Sequence, residues 1–335
     1  MFNIPRSPLS WLLLSAGLLA AQNWITGPAL AQKAPLQATP AQAAPAQPAP
    51  AQACTNPNAI GVSRVVEIDT TGGPGFGTEH FNTHDFLKQG EIVLTFDDGP
   101  WPATTASVLA ALESHCTKAI FFAIGKHATW HPDVLKEVAA KGHTVGTHTW
   151  SHPKDLGKLT LEQGKEEIEM GVSAVRRAIG DSTSPFIRFP SLKHPTELVK
   201  YAGQRNLGIW STDIDSFDFK FTKKSEKLAP TVMAKLAKRG KGILLMHDFQ
   251  KSTANAVPEL LSQLKSGGYK IVQVKAKGTI TSIPEYDAKV VAQLKGPAGI
   301  VSDRPTTSVV RTISESAPTS ATTTPQTAPA TPAKK

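Results

Sequence analysis

The sequence lacks three features that would assign a chain of 335 residues to other classes of protein. It has no run of five or six lysines or arginines and no basic stripe interleaved with aromatic residues, which argues against a nucleic-acid partner despite a net charge of +9. The apolar stretch near its N-terminus falls short of the roughly 20 residues that span a bilayer. It contains only two cysteines, Cys54 and Cys116, so one disulfide or two unpaired thiols are the alternatives.

The first 31 residues have the composition of a secretory signal. Arg6 precedes the apolar stretch Leu9–Ala21, and Ala29-Leu30-Ala31 forms a small-x-small cleavage site. We therefore expect a signal peptide over 1–31 and an exported protein, periplasmic or extracellular, with no stable membrane span after cleavage. No cysteine follows the cleavage site, so lipid anchoring there is not expected. Export also favours the Cys54–Cys116 disulfide over free thiols.

Composition divides the rest of the chain into a spacer, a folded unit and a tail. Residues 32–54 are almost entirely Ala, Pro and Gln, which predicts a linker without a core. Residues 281–335 drift into Thr, Ser, Ala and Pro, and we expect a disordered tail because too few large apolar residues offset the ordering entropy. The predicted folded domain covers 55–280, a length that supports one substantial core.

Strand-like and helix-like segments alternate within the folded unit. The strand candidates are 91–96, 118–124, 143–147, 186–189, 207–212, 242–246 and 269–274. The clearest helix is 160–179, where Thr160 and Gln163 can form a capping box. Repeated strand–helix units predict an α/β fold with a parallel sheet covered by helices, and about seven units suggest a distorted (β/α) barrel. Active sites of such barrels lie at the C-terminal ends of the strands.

Two phrases at predicted strand ends could together hold one metal ion. Asp97 and Asp98 follow a buried apolar run and precede Gly-Pro, and His148 and His152 lie four residues apart after a second strand-like run. One carboxylate and two neutral imidazoles leave a coordination position open, as in catalytic zinc sites, and the other carboxylate could act as a base. Taken singly, the aspartates could instead be turn residues and the histidine spacing could be coincidence.

Three further phrases fall at strand ends, namely Arg188-Phe189-Pro190-Ser191, Asp215-Ser216-Phe217-Asp218-Phe219 and Leu245-Met246-His247-Asp248. The five phrases in this order resemble the motifs of the polysaccharide deacetylase family (carbohydrate esterase family 4, the NodB homology domain), close to chitooligosaccharide deacetylases. The resemblance covers about 90–275, and it implies a barrel of the NodB type.

The resemblance implies that one carboxylate is the base and the other a metal ligand. Asp97 matches the base, and Asp98, His148 and His152 match the ligands of one divalent metal, with Zn²⁺ favoured and Co²⁺ or Mn²⁺ as alternatives. Arg188 matches the arginine that orients the base, and we expect it to lower the pKa of the Asp97 carboxyl.

The same resemblance implies an acid and a substrate wall. His247 matches the general acid, and Asp218 matches the aspartate that orients it. Pro190 and Ser191 match the third motif, in which the family usually has a tyrosine where Ser191 stands. The family uses the backbone N–H at that position to help hold the oxyanion, so this role survives the change, while the substrate contacts of the phenol are lost. Phe219 stands where the family usually has tryptophan, which keeps an apolar wall without the indole N–H.

These residues predict a metal-dependent hydrolase that removes N-acetyl groups from a glycan containing N-acetylglucosamine, such as a chitooligosaccharide, peptidoglycan or an exopolysaccharide. The alternatives are an O-acetyl esterase on an envelope polysaccharide and a degenerate family member that binds glycan without turnover. The sequence indicates no protein partner. The remaining histidines near the motifs are expected to be surface or capping residues: His115, His127, His131, His143 and His194.

Overall fold

The computed structural model describes residues 54–294, so the predicted signal peptide, the linker up to residue 53 and the tail from residue 295 lie outside it. Its strands are β1 Arg64–Ile68, β2 Gly75–Phe76, β3 Glu91–Asp97, β4 Ile120–Ala123, β5 Thr144–Thr147, β6 Thr183–Ile187, β7 Gly208–Trp210, β8 Ile214–Asp215, β9 Gly242–His247 and β10 Lys270–Ala276. Its α-helices are α1 Pro102–Ser114, α2 Gly125–Trp130, α3 Pro132–Ala140, α4 Leu161–Ile179, α5 Thr196–Gln204, α6 Leu228–Arg239, α7 Lys251–Ser266 and α8 Pro284–Leu294. Within 54–294, no helix combines the length and the hydropathy needed to cross a bilayer.

The strands form a distorted barrel in which every recorded pairing is parallel. β3 pairs with β4 on one side and with β9 on the other, and the order continues from β4 through β5 and β6 to β7. β8, which follows β7 closely in the chain, pairs with β9 but not with β7, so the chain between β7 and β8 bridges this side of the barrel. β10 joins β3 only at Glu91 and Ile92, with β1 outside it. The predicted α/β barrel is confirmed.

The predicted strands are present because their apolar runs are buried on both faces. All seven residues of β3 and all six of β9 are buried, as expected for parallel strands covered by helices. Each of the seven strand candidates overlaps an observed strand. β1, β2 and β8 were not predicted, because β2 and β8 have two residues each and β1 is half-exposed along its length.

Helix α4 begins as the sequence predicts. The Thr160 hydroxyl accepts from the Gln163 N–H, and the Gln163 side chain accepts from the Thr160 N–H, which is a complete capping box. Ile168, Val172 and Val175 form one fully buried stripe against the barrel. This helix runs behind the loop after β5, so its position determines how that loop is held.

The predicted disordered tail is wrong for its first 14 residues, because 281–294 are folded and contain helix α8. Val290 of α8 is fully buried against Trp150 and Ala174, and Asp287 accepts from the hydroxyl of Ser282 at 2.9 Å. Composition missed the helix because its docking depends on one buried valine and on the Ser173 hydroxyl of α4, which donates to Asp287 from a distant part of the chain. α8 therefore supports Trp150, which lies between His148 and His152.

Cys54 and Cys116 form a disulfide with 5.8 Å between their Cα atoms. The bridge joins the first described residue to the turn after α1 and closes a loop of 62 residues. In the chain-entropy model a loop of that length contributes about 4 kcal/mol to stability.

Candidate metal centre and catalytic residues

The side chains that the sequence analysis singled out as candidates lie together at the C-terminal ends of the strands. Asp97 ends β3, His148 follows β5, Arg188 follows β6 and His247 ends β9. All four are at most 8% exposed. Because parallel strands bring these ends to one rim, residues that are 150 positions apart in sequence become neighbours.

Asp98, His148 and His152 form a compact group of three ligand atoms that lie within 4.8 Å of one another. The Nε2 atoms of His148 and His152 lie 3.4 Å and 3.5 Å from Asp98 Oδ1. Asp98 and His152 both adopt positive φ, 75° and 54°, which turns their side chains inward from the ends of their strands. Among residues 54–294 this is the one cluster of three or more such side chains.

The donor set fits a divalent cation. Asp98 is fully buried, and neither of its carboxylate oxygens has a hydrogen-bond partner in the described part of the chain. A buried, unpaired carboxylate costs several kcal/mol, and a bound cation would remove that cost. His148 Nδ1 must donate at 2.6 Å to the Arg188 carbonyl, which leaves the Nε2 lone pair facing Asp98. Burial lowers the pKa of His148 to about 3, so the imidazole is neutral.

Asp97 is held by a fully buried arginine. Arg188 donates to Asp97 Oδ1 at 2.7 Å and to the Thr95 hydroxyl at 2.7 Å, and its guanidinium lies 4.5 Å from the centre of the Phe122 ring. The expected lowering of the Asp97 pKa is wrong in its net direction. Burial outweighs the attraction of Arg188 and raises the pKa of the Asp97 carboxyl to about 6.

His247 and Asp218 form a second buried pair on the opposite side of the cluster. His247 Nδ1 lies 2.7 Å from Asp218 Oδ1, and the His247 backbone N–H donates to Asp218 Oδ2 at 2.7 Å. The Thr253 hydroxyl also donates to that oxygen. Burial alone would lower the pKa of His247, but Asp218, with smaller contributions from Asp98 and Asp97, raises it to about 10. The imidazole is therefore protonated at neutral pH, with Nε2 4.0 Å from Asp98 Oδ2.

A cleft of about 220 Å³ opens above these groups. Its walls come from five of the strand-end segments and are listed here: Asp97, His148, His152, Phe189, Ser191, Leu192, Asp215, Phe219, Leu245 and His247. Pro190 is buried beneath the rim, and Ser191 is exposed with φ of 54°. The Phe219 ring lies 6.4 Å from the His247 ring, centre to centre, so it forms the apolar wall that the sequence predicts.

Two supporting residues were missed by the sequence analysis. Asp248 accepts from the Gly99 N–H at 3.0 Å and from the Thr105 hydroxyl at 2.5 Å, so it fixes the turn after Asp98. His127 Nδ1 donates to the Asp98 carbonyl at 2.6 Å. Asp248 follows His247 directly, which is a usable signal, whereas no spacing in the sequence relates His127 to Asp98.

The expectation that the other histidines lie on the surface or cap helices is wrong for three of them. His127 is fully buried, and His115 and His143 are 8% and 7% exposed. Burial lowers the pKa of His127 to about 4 and that of His143 to about 3, so both are neutral polar groups of the interior. Sequence did not reveal this burial, because partners from distant positions contact these rings: the Trp101 ring packs against His127, and the Ala119 N–H donates to His143 Nδ1.

Residues 86–209 match the model of the polysaccharide deacetylase family. This part of the chain is therefore assigned to the polysaccharide deacetylase family. A solved peptidoglycan deacetylase of Bdellovibrio bacteriovorus superposes on it with a TM-score of 0.58 and 32% identity, over 64% of this chain and 59% of that one. The family assignment and the barrel therefore agree.

Curated relatives act on two kinds of glycan, according to their names. A peptidoglycan-N-acetylglucosamine deacetylase of Listeria monocytogenes is 33% identical over 187 residues, which are 55% of this chain and 38% of that protein. Chitin deacetylase 1 of Saccharomyces cerevisiae is 29% identical over 198 residues, 58% of this chain and 63% of that protein. The chain thus spans well under half the length of the first of these relatives.

Proposed function

We propose that the chain is a metal-dependent hydrolase that removes N-acetyl groups from a glycan containing N-acetylglucosamine. The observation that carries this proposal is the buried Asp98 carboxylate, which has no hydrogen-bond partner among residues 54–294 and faces the Nε2 atoms of His148 and His152. Asp97 and the protonated His247 lie on either side of it. Membership of the polysaccharide deacetylase family supports it.

Asp98, His148 and His152 would hold the metal. A divalent cation there, with Zn²⁺ favoured by the mixed carboxylate and imidazole donors and Co²⁺ or Mn²⁺ as alternatives, would supply Lewis-acid polarisation of the acetyl carbonyl. The His148 tautomer is fixed by the Arg188 carbonyl, so this ligand needs no reorganisation before it binds.

Asp97 and His247 would handle the protons. Asp97, held by Arg188, accepts a proton from the attacking water, whose oxygen forms the new bond to the acetyl carbon. His247, held by Asp218, donates its Nε2 proton to the departing nitrogen as the C–N bond breaks, which yields acetate and an amine. Acid and base catalysis each contribute roughly 10²–10⁴ in rate. An amide needs both, because its nitrogen is a poor leaving group.

The cleft walls would orient the acetyl group. The Ser191 N–H lies on the exposed turn that lines the cleft and would donate to the developing oxyanion, and one such donor contributes about 3–4 kcal/mol. Pro190 keeps this turn rigid, and Phe219 would pack against the sugar. We further propose export to the periplasm or exterior through cleavage of 1–31, with 32–54 as a linker and the catalytic domain beginning near 55.

Metal content and acetate release test the proposal together. Purified protein should contain about one divalent metal per chain and release acetate from chitin oligomers, from peptidoglycan or from an N-acetylated exopolysaccharide, and chelation should abolish release. Asp133→Ala, on the exposed face of α3, serves as the control for a lost carboxylate. Bound metal without release from any glycan would favour the glycan-binding alternative, and release only from O-acetylated polymers would favour the esterase.

A further inference from the structure

Positive charge on the folded part of the chain is concentrated in one segment. Residues 220–241 contain eight lysines and arginines and a single acid, Glu226. The rest of 54–294 contains 21 lysines and arginines and 24 aspartates and glutamates, so it is slightly acidic. A uniformly basic, solvated surface therefore does not describe this molecule. The excess belongs to this segment, which we call the cationic segment.

The cationic segment begins at the wall of the cleft. Phe219 lines the cleft, and Lys220 follows it directly. Lys235, on α6, donates through Nζ to the carbonyl oxygen of Asp215, another residue of the cleft wall, at 2.6 Å. Lys220 and Lys235 of the cationic segment thus border the side of the cleft that carries His247.

Most of these cations have no counter-charge. Arg239 pairs with Asp213 at 3.1 Å, and Lys241 pairs with Asp85 at 2.6 Å. The other lysines of the segment form no ion pair with any carboxylate of residues 54–294, and five of them are exposed: Lys220, Lys223, Lys224, Lys227 and Lys238. Elsewhere in residues 54–294, four of the eleven exposed lysines pair with an acid: Lys136, Lys193, Lys200 and Lys277.

An exposed aromatic ring lies between the cleft and these cations. Phe217 is 37% exposed, and its ring centre is 6.0 Å from that of Phe219. The Nζ atoms of Lys220 and Lys235 each lie 4.2 Å from the centre of the Phe217 ring. A flat apolar ring flanked by two ammonium groups offers one surface for the face of a sugar and two donors for anionic substituents.

We infer that the substrate is an anionic glycan, whose N-acetylated sugar occupies the cleft while neighbouring sugars that carry carboxylates extend over Phe217 onto the cationic segment. This inference rests on the proposed deacetylation and selects among its substrates. Exposed lysines attract such a chain through long-range and contact electrostatics, so the preference falls as salt increases. A neutral chitin oligomer would gain nothing from the segment.

Kinetics on one oligomer in two charge states tests the inference. The probes are a soluble peptidoglycan-derived oligomer with free carboxylates and the same oligomer after conversion of its carboxylates to methyl amides. We expect kcat/KM for the anionic form to exceed that for the amidated form by about tenfold or more at low salt, mainly through KM, and to converge with it near 1 M salt, where the Debye length is about 3 Å. A sugar-acid oligomer without peptide shows whether carboxylates on the sugars are sufficient for this preference in kcat/KM or whether the carboxylates of the peptide are required.

Charge-removal variants identify the surface. Lys223→Gln, Lys224→Gln and Lys227→Gln combined should remove most of the preference and leave kcat on the amidated oligomer unchanged. The matched control removes three exposed lysines outside the segment: Lys265→Gln, Lys270→Gln and Lys275→Gln. Equal losses in both triple variants, or equal losses on both oligomers, would overturn the inference.

Direct binding separates this inference from the proposed function. Fluorescence anisotropy with each labelled oligomer reports binding without turnover, and thermal unfolding checks that both triple variants are folded. If no glycan releases acetate but the anionic oligomer binds through the cationic segment, the proposed deacetylation is wrong, and the inferred binding of anionic glycans is supported. If acetate is released from both oligomers with equal kcat/KM and neither oligomer binds more tightly, the inferred role of the cationic segment is wrong, and the proposed deacetylation is supported.

Discussion

Strand β3 carries an arginine–carboxylate pair at each end, and folding shifts the pKa of the carboxylate in opposite directions in the two pairs. At its start, Glu91 accepts two bonds from Arg64, at 2.8 and 2.6 Å, and these outweigh burial and lower the pKa of Glu91 to about 2. At its end, Asp97 accepts from Arg188 at 2.7 Å, yet burial raises the pKa of Asp97 to about 6. The same two chemical groups therefore produce opposite shifts on one strand.

The difference arises from what surrounds each guanidinium. Arg64 is partly exposed and directs two of its three guanidinium nitrogens at the Glu91 carboxylate, and one of these also donates to the Phe86 carbonyl. Arg188 is fully buried and divides its donors among Asp97, Thr95 and two backbone carbonyls, while the charge of Asp98 lies close by. One pair stabilises the fold, and the other leaves a carboxylate whose proton affinity is near neutrality, as a general base requires.

The largest expected effect comes from removing the metal ligand next to the functional pair. Asp98→Ala, like His148→Ala or His152→Ala, should lose both metal and activity, because two remaining ligands do not hold the ion. Without metal, the Asp98→Ala variant should be no less stable than the parent, since a buried carboxylate without hydrogen-bond partners in the described part of the chain has been removed. Metal analysis and thermal unfolding in chelator check this, beside Asp133→Ala. Full metal occupancy in any ligand variant would contradict its assignment.

Asp97→Asn should separate the base from the ligands. The amide oxygen can still accept from Arg188, so the metal and the fold should remain, while turnover should fall by about 10² or more because the proton acceptor is lost. Acetate release at matched metal content is the measurement. Loss of metal together with activity would mean that Asp97 and Asp98 have been assigned each other's roles.

His247→Ala should affect substrates unequally. A protonated imidazole matters when nitrogen leaves and matters little when an activated phenolate leaves. Deacetylation of N-acetylglucosamine oligomers should therefore fall by about 10² or more, while hydrolysis of an aryl acetate falls far less, and Asp218→Asn should show a milder version of the same pattern. Similar losses on both substrates would indicate that His247 positions the substrate instead of donating a proton.

Glu91→Gln should have the smallest effect, on stability alone. Because the pKa of Glu91 is lowered on folding, its contribution is present above the unfolded value of about 4.5 and is lost as pH falls towards 2. The variant should be about 1–3 kcal/mol less stable at pH 7, with normal activity, and this difference should shrink below pH 4. Urea unfolding at both pH values measures it. If the difference in unfolding free energy does not change with pH, the loss of stability comes from packing and not from the charge of Glu91. If the variant also loses activity, the Arg64–Glu91 pair is not purely structural, and the contrast with Arg188–Asp97 fails.

The barrel could be predicted because its determinants are local. The apolar run of β3 predicts a buried strand, and the capping box at Thr160 predicts the start of a helix, each from a few consecutive residues. Strands β2 and β8 could not be predicted, since two-residue pairings depend on what lies beside them. Helix α8 was missed because its single fully buried residue, Val290, gains its partner Trp150 from a distant part of the chain.

The candidate site shows the same limit. The residues that carry chemistry, such as Asp98 and His148, stand in phrases at strand ends and could be proposed from sequence. The direction of the Asp97 pKa could not, because it depends on the balance between complete burial and one shared guanidinium. The role of His127 could not either, since it donates to the backbone carbonyl of Asp98, and any residue type at position 98 would present that carbonyl.

The contact between Asp248 and Gly99 also constrains how the sequence can vary at these two positions. A methyl group at position 99 would come within 2.1 Å of Asp248 Oδ2, and that carboxylate cannot withdraw without giving up its bond to Thr105. We expect the two positions to vary as a pair among relatives, with a larger residue at 99 accompanied by a smaller one at 248. The glycine in the first motif would then be dictated by a carboxylate 149 residues away.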